Sequence, residues 1–299
     1  MLRPEKGPRS GILLPFLLAL LLPVLAGCGT LLEIDLRAAS PPRDALVVSF
    51  IDVGQGDATL VQTGGESYLI DGGEPEAGPR VVDFLRSRGV EELEAIVASH
   101  SHSDHIGGLP DVLEALPVAE VYVSGYTTGT STENALLRAV REEGADLLEA
   151  RAGLRQQWGG ATMTVVSPPN DSDGGLFGDA NEDSVVPLLE FGSARVLVTG
   201  DAKSRAEEYM STGPYAGDLA VLRVAHHGSS SSTTPLFLDR FRPRVAVVSV
   251  GADNSYGHPT PQTLRRLDTV GAEVFRTDEH GDVIVTIEND ELDVAVTSP

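Results

Sequence analysis

From residue 46 onward, short runs of apolar and β-branched residues alternate with stretches whose apolar positions recur every three or four residues. The first kind reads as strand and the second as amphipathic helix, because side chains repeat every two residues in a strand and every 3.6 in a helix. Segments 46–53, 59–62 and 67–70 are strand-like, and Gly54-Gln55-Gly56 and Gly64-Gly65 separate them in the cadence of an antiparallel meander. Over 80–88, Val81, Val82, Phe84 and Leu85 gather on one helical face, and Gly89 supplies a stop. Strand 95–99 and helix 107–116 follow.

The same patterning predicts later strands at 120–124, 161–166, 185–191, 195–199, 219–225 and 244–250, and a closing group at 272–276, 283–288 and 292–296. Helices are predicted at 132–143, 203–210, 234–241 and 261–270. Strands in clusters with intervening helices imply two mixed sheets covered by helices on their outer faces. Residues 168–183, with two prolines and several Gly and Asp, read as a long loop, of the kind that is often functional in a compact domain. No repeat of solenoid period is present.

The first thirty residues follow another pattern. Arg3, Lys6 and Arg9 precede an apolar run over 12–25 broken by Pro15 and Pro23, the layout of a secretory signal peptide. That run is shorter than the roughly 20 residues a membrane span requires. It ends in Leu25-Ala26-Gly27-Cys28, which resembles a bacterial lipobox and implies that Cys28 is lipidated and begins the mature chain. The expected organisation is a lipoprotein signal peptide over 1–27, a tether over 28–45 containing Ser40-Pro41-Pro42-Arg43-Asp44, and one folded domain over 46–299. The expected location is extracytoplasmic, in the bacterial cell envelope, with acyl chains as the sole membrane contact.

Composition narrows the function. A 41% hydrophobic share with 22% charged residues excludes wholesale disorder, and 5% aromatics leaves Val, Leu, Ile and Ala to build the core. The 22 Lys and Arg stand against 44 Asp and Glu, a net charge of −22. Without residues 1–27 the balance is 19 against 43, or −24. Such a field repels polyanions, so a polyanionic substrate must be held by metal ions or by a local exception to that field. One cysteine excludes an intramolecular disulfide and a cysteine-rich metal site.

The candidate chemistry lies in the histidines, seven in all. Three fall in His100-Ser101-His102-Ser103-Asp104-His105, between a predicted strand and the Gly107-Gly108 that opens a helix. Alternate residues at a strand end point the same way, so His100 and His102 can share one metal, while Asp104 and His105 past the turn can face a second. Asp201 ends a strand before a helix, a place that taken alone favours a helix cap and taken with the other motifs favours a metal ligand. Asp71, before Gly72-Gly73, suits a turn or a carboxylate that orients a ligand histidine. Pro259 holds His258 extended, and His280 reads as a hairpin-turn residue. The segment 229–234 suits phosphate contact and helix capping equally.

These motifs join into a family resemblance. Phe50-Ile51-Asp52-Val53-Gly54-Gln55-Gly56-Asp57-Ala58, Tyr68-Leu69-Ile70-Asp71-Gly72-Gly73, the histidine cluster, Leu197-Val198-Thr199-Gly200-Asp201, Leu222-Arg223-Val224-Ala225-His226-His227-Gly228-Ser229 and Tyr256-Gly257-His258-Pro259 occur in that order. Over about residues 46–290 the chain resembles the metallo-β-lactamase family, and within it the hydrolase domain of ComEC-type competence proteins. The resemblance implies an α/β fold, a four-layer αββα sandwich of two mixed β-sheets, around two divalent metal ions, Zn or Mn. It places His100 and His102 on the first ion, Asp104 and His105 on the second, Asp201 as the bridge, and one of His226 and His227 on the second site. Asp71 then stands behind a ligand, and Asp104 and His258 are the expected catalytic residues. Many members carry a further histidine before the bridging Asp, but none lies between 105 and 226, and Asn181-Glu182-Asp183-Ser184 stands in its place. The first site is therefore expected to be open, weak, or completed by water or a carboxylate such as Asp183. The implied activity is a phosphodiesterase or nuclease in DNA uptake or extracellular DNA processing, with a phosphodiester, DNA foremost, as the partner. Two alternatives stand beside it: a phosphodiesterase on an envelope polymer or headgroup, like the phosphorylcholine esterases of this fold, and a non-catalytic binding lipoprotein.

Overall fold

Val48 and Phe50, alternating along the first strand, point at Met163, Val196 and Val245 of a second sheet, and that contact sets the architecture. The structure, a computed structural model, describes residues 42–298. The first sheet runs in the order β15 (Glu291–Val296), β14 (Val283–Glu288), β1 (Ala45–Phe50), β2 (Thr59–Thr63), β3 (Glu66–Ile70), β4 (Leu93–Val97), β5 (Val118–Val123) and β6 (Asp146–Glu149). The second runs β13 (Glu273–Arg276), β12 (Pro243–Val248), β11 (Leu219–Arg223), β10 (Ala194–Val198), β9 (Val186–Phe191), β8 (Ala161–Ser167) and β7 (Arg155–Trp158). Each sheet has an antiparallel half and a parallel half. The parallel ladders are β3 to β6 in one and β10 to β13 in the other.

The layer between the sheets is built mostly of valine, as the low aromatic content requires, with Tyr68 stacked on Trp158 at 4.2 Å as an aromatic exception. The outer face of the first sheet, with Leu60, Leu69 and Ile96, is covered by α1 (Gly78–Ser87), α3 (Leu109–Ala115) and α4 (Ser131–Glu143). Leu188, Leu197 and Leu222 of the second sheet pack under α5 (Ser204–Thr212), α6 (Pro235–Phe241) and α7 (Pro261–Thr269). The expected four-layer αββα sandwich of two mixed sheets is what forms.

Most predicted elements are present within a few residues of their expected ends. Two strands were not foreseen, β6 and β7; both are edge strands with mostly exposed side chains, so neither shows an apolar alternation. The helix predicted over 107–116 is α3, and a single turn that was not foreseen, α2 (Ser103–Ile106), precedes it inside the histidine motif. His280 closes a short helix, α8 (Thr277–His280), rather than a hairpin turn. The predicted signal peptide, Cys28 and all but the last few residues of the tether lie outside the described residues. Among the described residues no helix is long and apolar enough to cross a membrane.

The topology gathers one edge. Asp71 follows β3, His100 follows β4, Asp201 follows β10, His226 and His227 follow β11, and Ser249 follows β12. All are carboxyl ends of parallel strands, the edge where ligand crevices form in α/β sheets. Glu207 of α5 ties the chain beyond His227 to the helix layer, accepting the backbone N–H groups of Thr233 and Thr234. Burial pushes its carboxyl up to about 7, against those N–H groups and the charge of Arg266. A carboxyl raised in the folded state is stabilising while protonated, so this contribution is whole below pH ~4.5 and lost as pH rises through 7. Chemical denaturation of wild type and Glu207→Gln from pH 4.5 to 8 should show the stability difference moving toward the variant by about 3 kcal/mol. A pH-independent difference would mean that Glu207 is ionised throughout.

Candidate metal centre

After β4 the chain leaves the sheet through Ser99 to His100, and α2 starts three residues later, so the spacing of the motif becomes a fan of side chains. His100 Nε2 lies 3.0 Å from His102 Nδ1 and 3.9 Å from Asp201 Oδ2. His105 Nε2 lies 3.2 Å from Asp201 Oδ1 and 3.9 Å from Asp104 Oδ2. His227 Nε2 reaches Asp104 Oδ2 at 3.2 Å and Asp201 Oδ1 at 3.6 Å. Two donor groups result, His100–His102–Asp201 and Asp104–His105–His227, each with ligand atoms within 4.8 Å of one another. Asp201 turns one oxygen toward each.

Backbone strain arranges the later histidines. His226 and His227 are both left-handed, at φ 51° and 52°, a conformation costing non-glycine residues on the order of 1–3 kcal/mol. The turn buries His227 against Asp104 and leaves His226 partly exposed, 3.6 Å from Asp201 Oδ2 and with its ring 5.8 Å from that of His258. His227, rather than His226, therefore joins the Asp104–His105 group.

Hydrogen bonds behind the ligand atoms orient the rings. Asp71, itself at φ 59°, accepts from Ser99 N and Oγ at 2.8 and 2.7 Å and lies 2.7 Å from His105 Nδ1. The Ser249 carbonyl lies 2.9 Å from His227 Nδ1. With both Nδ1–H groups donated, each Nε2 turns a lone pair to the cluster. His105 Nε2 and Asp201 Oδ1 are both buried, close together and without a hydrogen-bond partner. Two facing acceptors of this kind fit a shared cation.

The electrostatics agree. Asp57, Asp71 and Asp201 are buried and Asp104 is partly exposed on the cleft wall, while one guanidinium, Arg223, lies among them with Nε 2.8 Å from Asp57 and Nη1 donating to Gly200 O. Burial alone would lower His105, but Asp201 and Asp71 raise it well above the usual range. Burial works to raise Asp201 and Asp104; the charges of His105 and His227 hold Asp201 far down, and the His227 hydrogen bond with those charges lowers Asp104. Burial pushes His100 well down, helped by His105. The cluster calls for positive charge, and its imidazole and carboxylate donors suit divalent metals such as Zn or Mn.

Above it lies a cleft of about 320 Å³ whose walls include His102, Asp104, Asp201, His226, His227 and His258 and contain no Lys or Arg. His258 is clamped through its backbone by Asn254, at 3.1 and 2.7 Å, and its Nδ1 is buried without a partner.

The family model described as the metallo-beta-lactamase superfamily matches residues 51–252. The chain belongs to that superfamily. It is 29% identical over 255 residues to ComE operon protein 3 of Bacillus subtilis (strain 168), covering 79% of this chain and 32% of that protein. It is 32% identical over 251 residues to competence protein ComA of Neisseria gonorrhoeae, covering 83% and 33%. The chain thus matches about a third of the length of these relatives. In fold it is similar to the metallo-beta-lactamase fold protein YhfI from Bacillus subtilis, at TM-score 0.53 and 15% identity over 81% of this chain and 99% of that one.

Within this metallo-β-lactamase domain, the expected His100, His102, Asp104, His105, Asp201 and His227 converge, with Asp71 behind them and His226 and His258 on the cleft wall. Asp201 caps no helix, since α5 begins beyond Lys203. Asp183 is spent elsewhere: its carboxylate accepts the N–H groups of Phe177, Gly178 and Asp179 at 2.7, 2.8 and 3.1 Å. The 229–234 segment ends in the cap of α6, where Thr234 accepts from Phe237 N, and it does not line the cleft.

Sequence reading assigned no role to Asp57 or Arg223. The signal was an arginine in the apolar strand β11, where alternation puts it on the same face as Val221, toward the other sheet. Gly56 was likewise missed: a Cβ there would meet the Asp104 carbonyl at 2.5 Å, and Asp57 N donates to that same oxygen. Arg223→Met should destabilise the fold by about 3–5 kcal/mol, because Asp57 is left buried without a counter-charge. Adding Asp57→Asn should restore a large part of that loss in urea denaturation, and additive losses would show the two are not coupled.

Proposed function

We propose that the domain is a metal-dependent phosphodiesterase acting on DNA strands. The observation that carries this reading is the pair of nitrogen-and-oxygen donor groups sharing Asp201 at the floor of a cleft whose walls hold no Lys or Arg. Divalent cations bound there would polarise a phosphoryl oxygen and acidify water at neutral pH. His100, His102 and Asp201 would hold one ion, and Asp104, His105, His227 and Asp201 the other. Asp71 and the Ser249 carbonyl keep the two deeper imidazoles aimed. His258, held in the cleft wall, is placed to give a proton to the departing oxygen.

The competence relatives support a nucleic-acid substrate. So does Tyr256, 68% exposed on the cleft wall with its ring 5.8 Å from that of His258, a surface on which a base can stack. The net charge of −22 favours a second reading, a phosphodiester of a headgroup or envelope polymer, since long DNA would be repelled. Turnover of a short oligonucleotide against a glycerophosphodiester, at equal metal, separates the two. Under either, the proposed location is the extracytoplasmic face of a membrane, held through Cys28.

Metal analysis and turnover of bis(p-nitrophenyl) phosphate test the chemistry together. Wild type should carry divalent metal and lose activity to a chelator. Asp201→Ala should lose both metal and activity, whereas His258→Ala should keep its metal and turn over about 10²–10⁴-fold more slowly. Full activity in Asp201→Ala would remove the shared site, and a chain without metal or turnover would return the protein to a binding role. Cys28→Ser should leave the membrane fraction and no longer label with a fatty-acid probe; continued labelling would refute the anchor.

A further inference from the structure

The two donor groups are unequally furnished. Asp104, His105 and His227 with Asp201 Oδ1 make four protein donors, but His100 and His102 with Asp201 Oδ2 make three, and His226, although its Nε2 lies 3.6 Å from that oxygen, falls outside the His100–His102–Asp201 group. Asn181 stands in the same cleft wall as His102 and Asp201. It is 8% exposed, and its Oδ1 is buried without a hydrogen-bond partner. Such an unpaired amide oxygen costs about 1–3 kcal/mol, so it needs a purpose.

Its neighbours are committed to holding the loop. Glu182 accepts the Arg205 and Ala206 N–H groups at 3.3 and 2.9 Å, anchoring to α5. Asp183 collects three backbone N–H groups of its own loop, and Ser184 Oγ accepts from Asp201 N at 3.2 Å, locking the segment to the shared carboxylate. The Asn181 carbonyl accepts from Ser184 N at 3.1 Å. From Asn181 to Ser184, the side chain left with an unused buried oxygen is that of Asn181.

We propose that Asn181 Oδ1 is the fourth protein donor to the ion held by His100, His102 and Asp201. The inference rests on the two-ion reading above and adds a preference to it. Two imidazoles, a carboxylate and an amide oxygen form a harder set than one with a third imidazole, and carbonyl and carboxylate oxygens suit Mn²⁺. This position therefore leans toward Mn²⁺ over Zn²⁺.

The test is metal titration of the stripped full chain without substrate, reading free Mn²⁺ by electron paramagnetic resonance and Zn²⁺ by calorimetric competition. Wild type should take up two Mn²⁺. Asn181→Ala should weaken one step at least about tenfold, the loss seen even for partners that only orient a ligand, and leave the other unchanged. Asn181→His should retain two steps and shift the weakened step's preference toward Zn²⁺. Should the Ala variant misfold by circular dichroism, the isosteric Asn181→Asp should bind Mn²⁺ more tightly at that step, and unchanged binding counts against the assignment. Two unaltered steps in Asn181→Ala overturn it alone, and a raised KM for bis(p-nitrophenyl) phosphate would then give the amide to the substrate. A wild-type chain that binds no ion overturns the proposed function and this assignment with it.

Discussion

Asp57, Asp71, Asp104 and Asp201 share one end of the sandwich with a single buried guanidinium, Arg223, and the surrounding structure is arranged to carry that excess of negative charge. Like charges about 4 Å apart repel by on the order of 4 kcal/mol even at an effective dielectric of 20. The cluster answers this with Arg223 and with backbone N–H groups. Each answer is partial. Two of the atoms left without a hydrogen-bond partner, His105 Nε2 and Asp201 Oδ1, face one another across the gap where a cation fits.

The fold makes the arrangement affordable. Parallel halves in both sheets bring five strand ends to one edge, so the donors sit on backbone already paid into ladders and the valine-rich layer. Arg223 leaves β11 of one sheet to meet Asp57 beside β2 of the other, so the charge pair also joins the two layers beneath the donors. The strained turn at His226 and His227 and the left-handed Asp71 lie at this edge, where aiming imidazoles outweighs local backbone cost.

The net negative charge and the absence of Lys and Arg from the cleft walls belong to the same design. A protein of charge −22 can present a phosphodiester with positive charge at one place if that charge arrives as bound cations. On the proposed reading, substrate affinity and catalysis depend on the same ions, and the protein's own contribution is to position donors, orient rings and hold His258 and Tyr256 at the cleft wall.

Periodicity was enough for the layered fold, because buried strands and amphipathic helices differ in repeat, and it failed at β6 and β7, whose exposed edges carry no such repeat. The histidine motif was legible because its ligands are close in sequence and share a strand end. Asp201 was recognised through family resemblance, since alone it read as a helix cap. Choosing between His226 and His227 required the backbone turn, which directs adjacent residues to opposite surroundings. Asp57, Arg223 and Asn181 could be placed only by the assembled sandwich, because their partners lie far away in the chain, and both charge compensation and an unused buried oxygen are properties of neighbours in space.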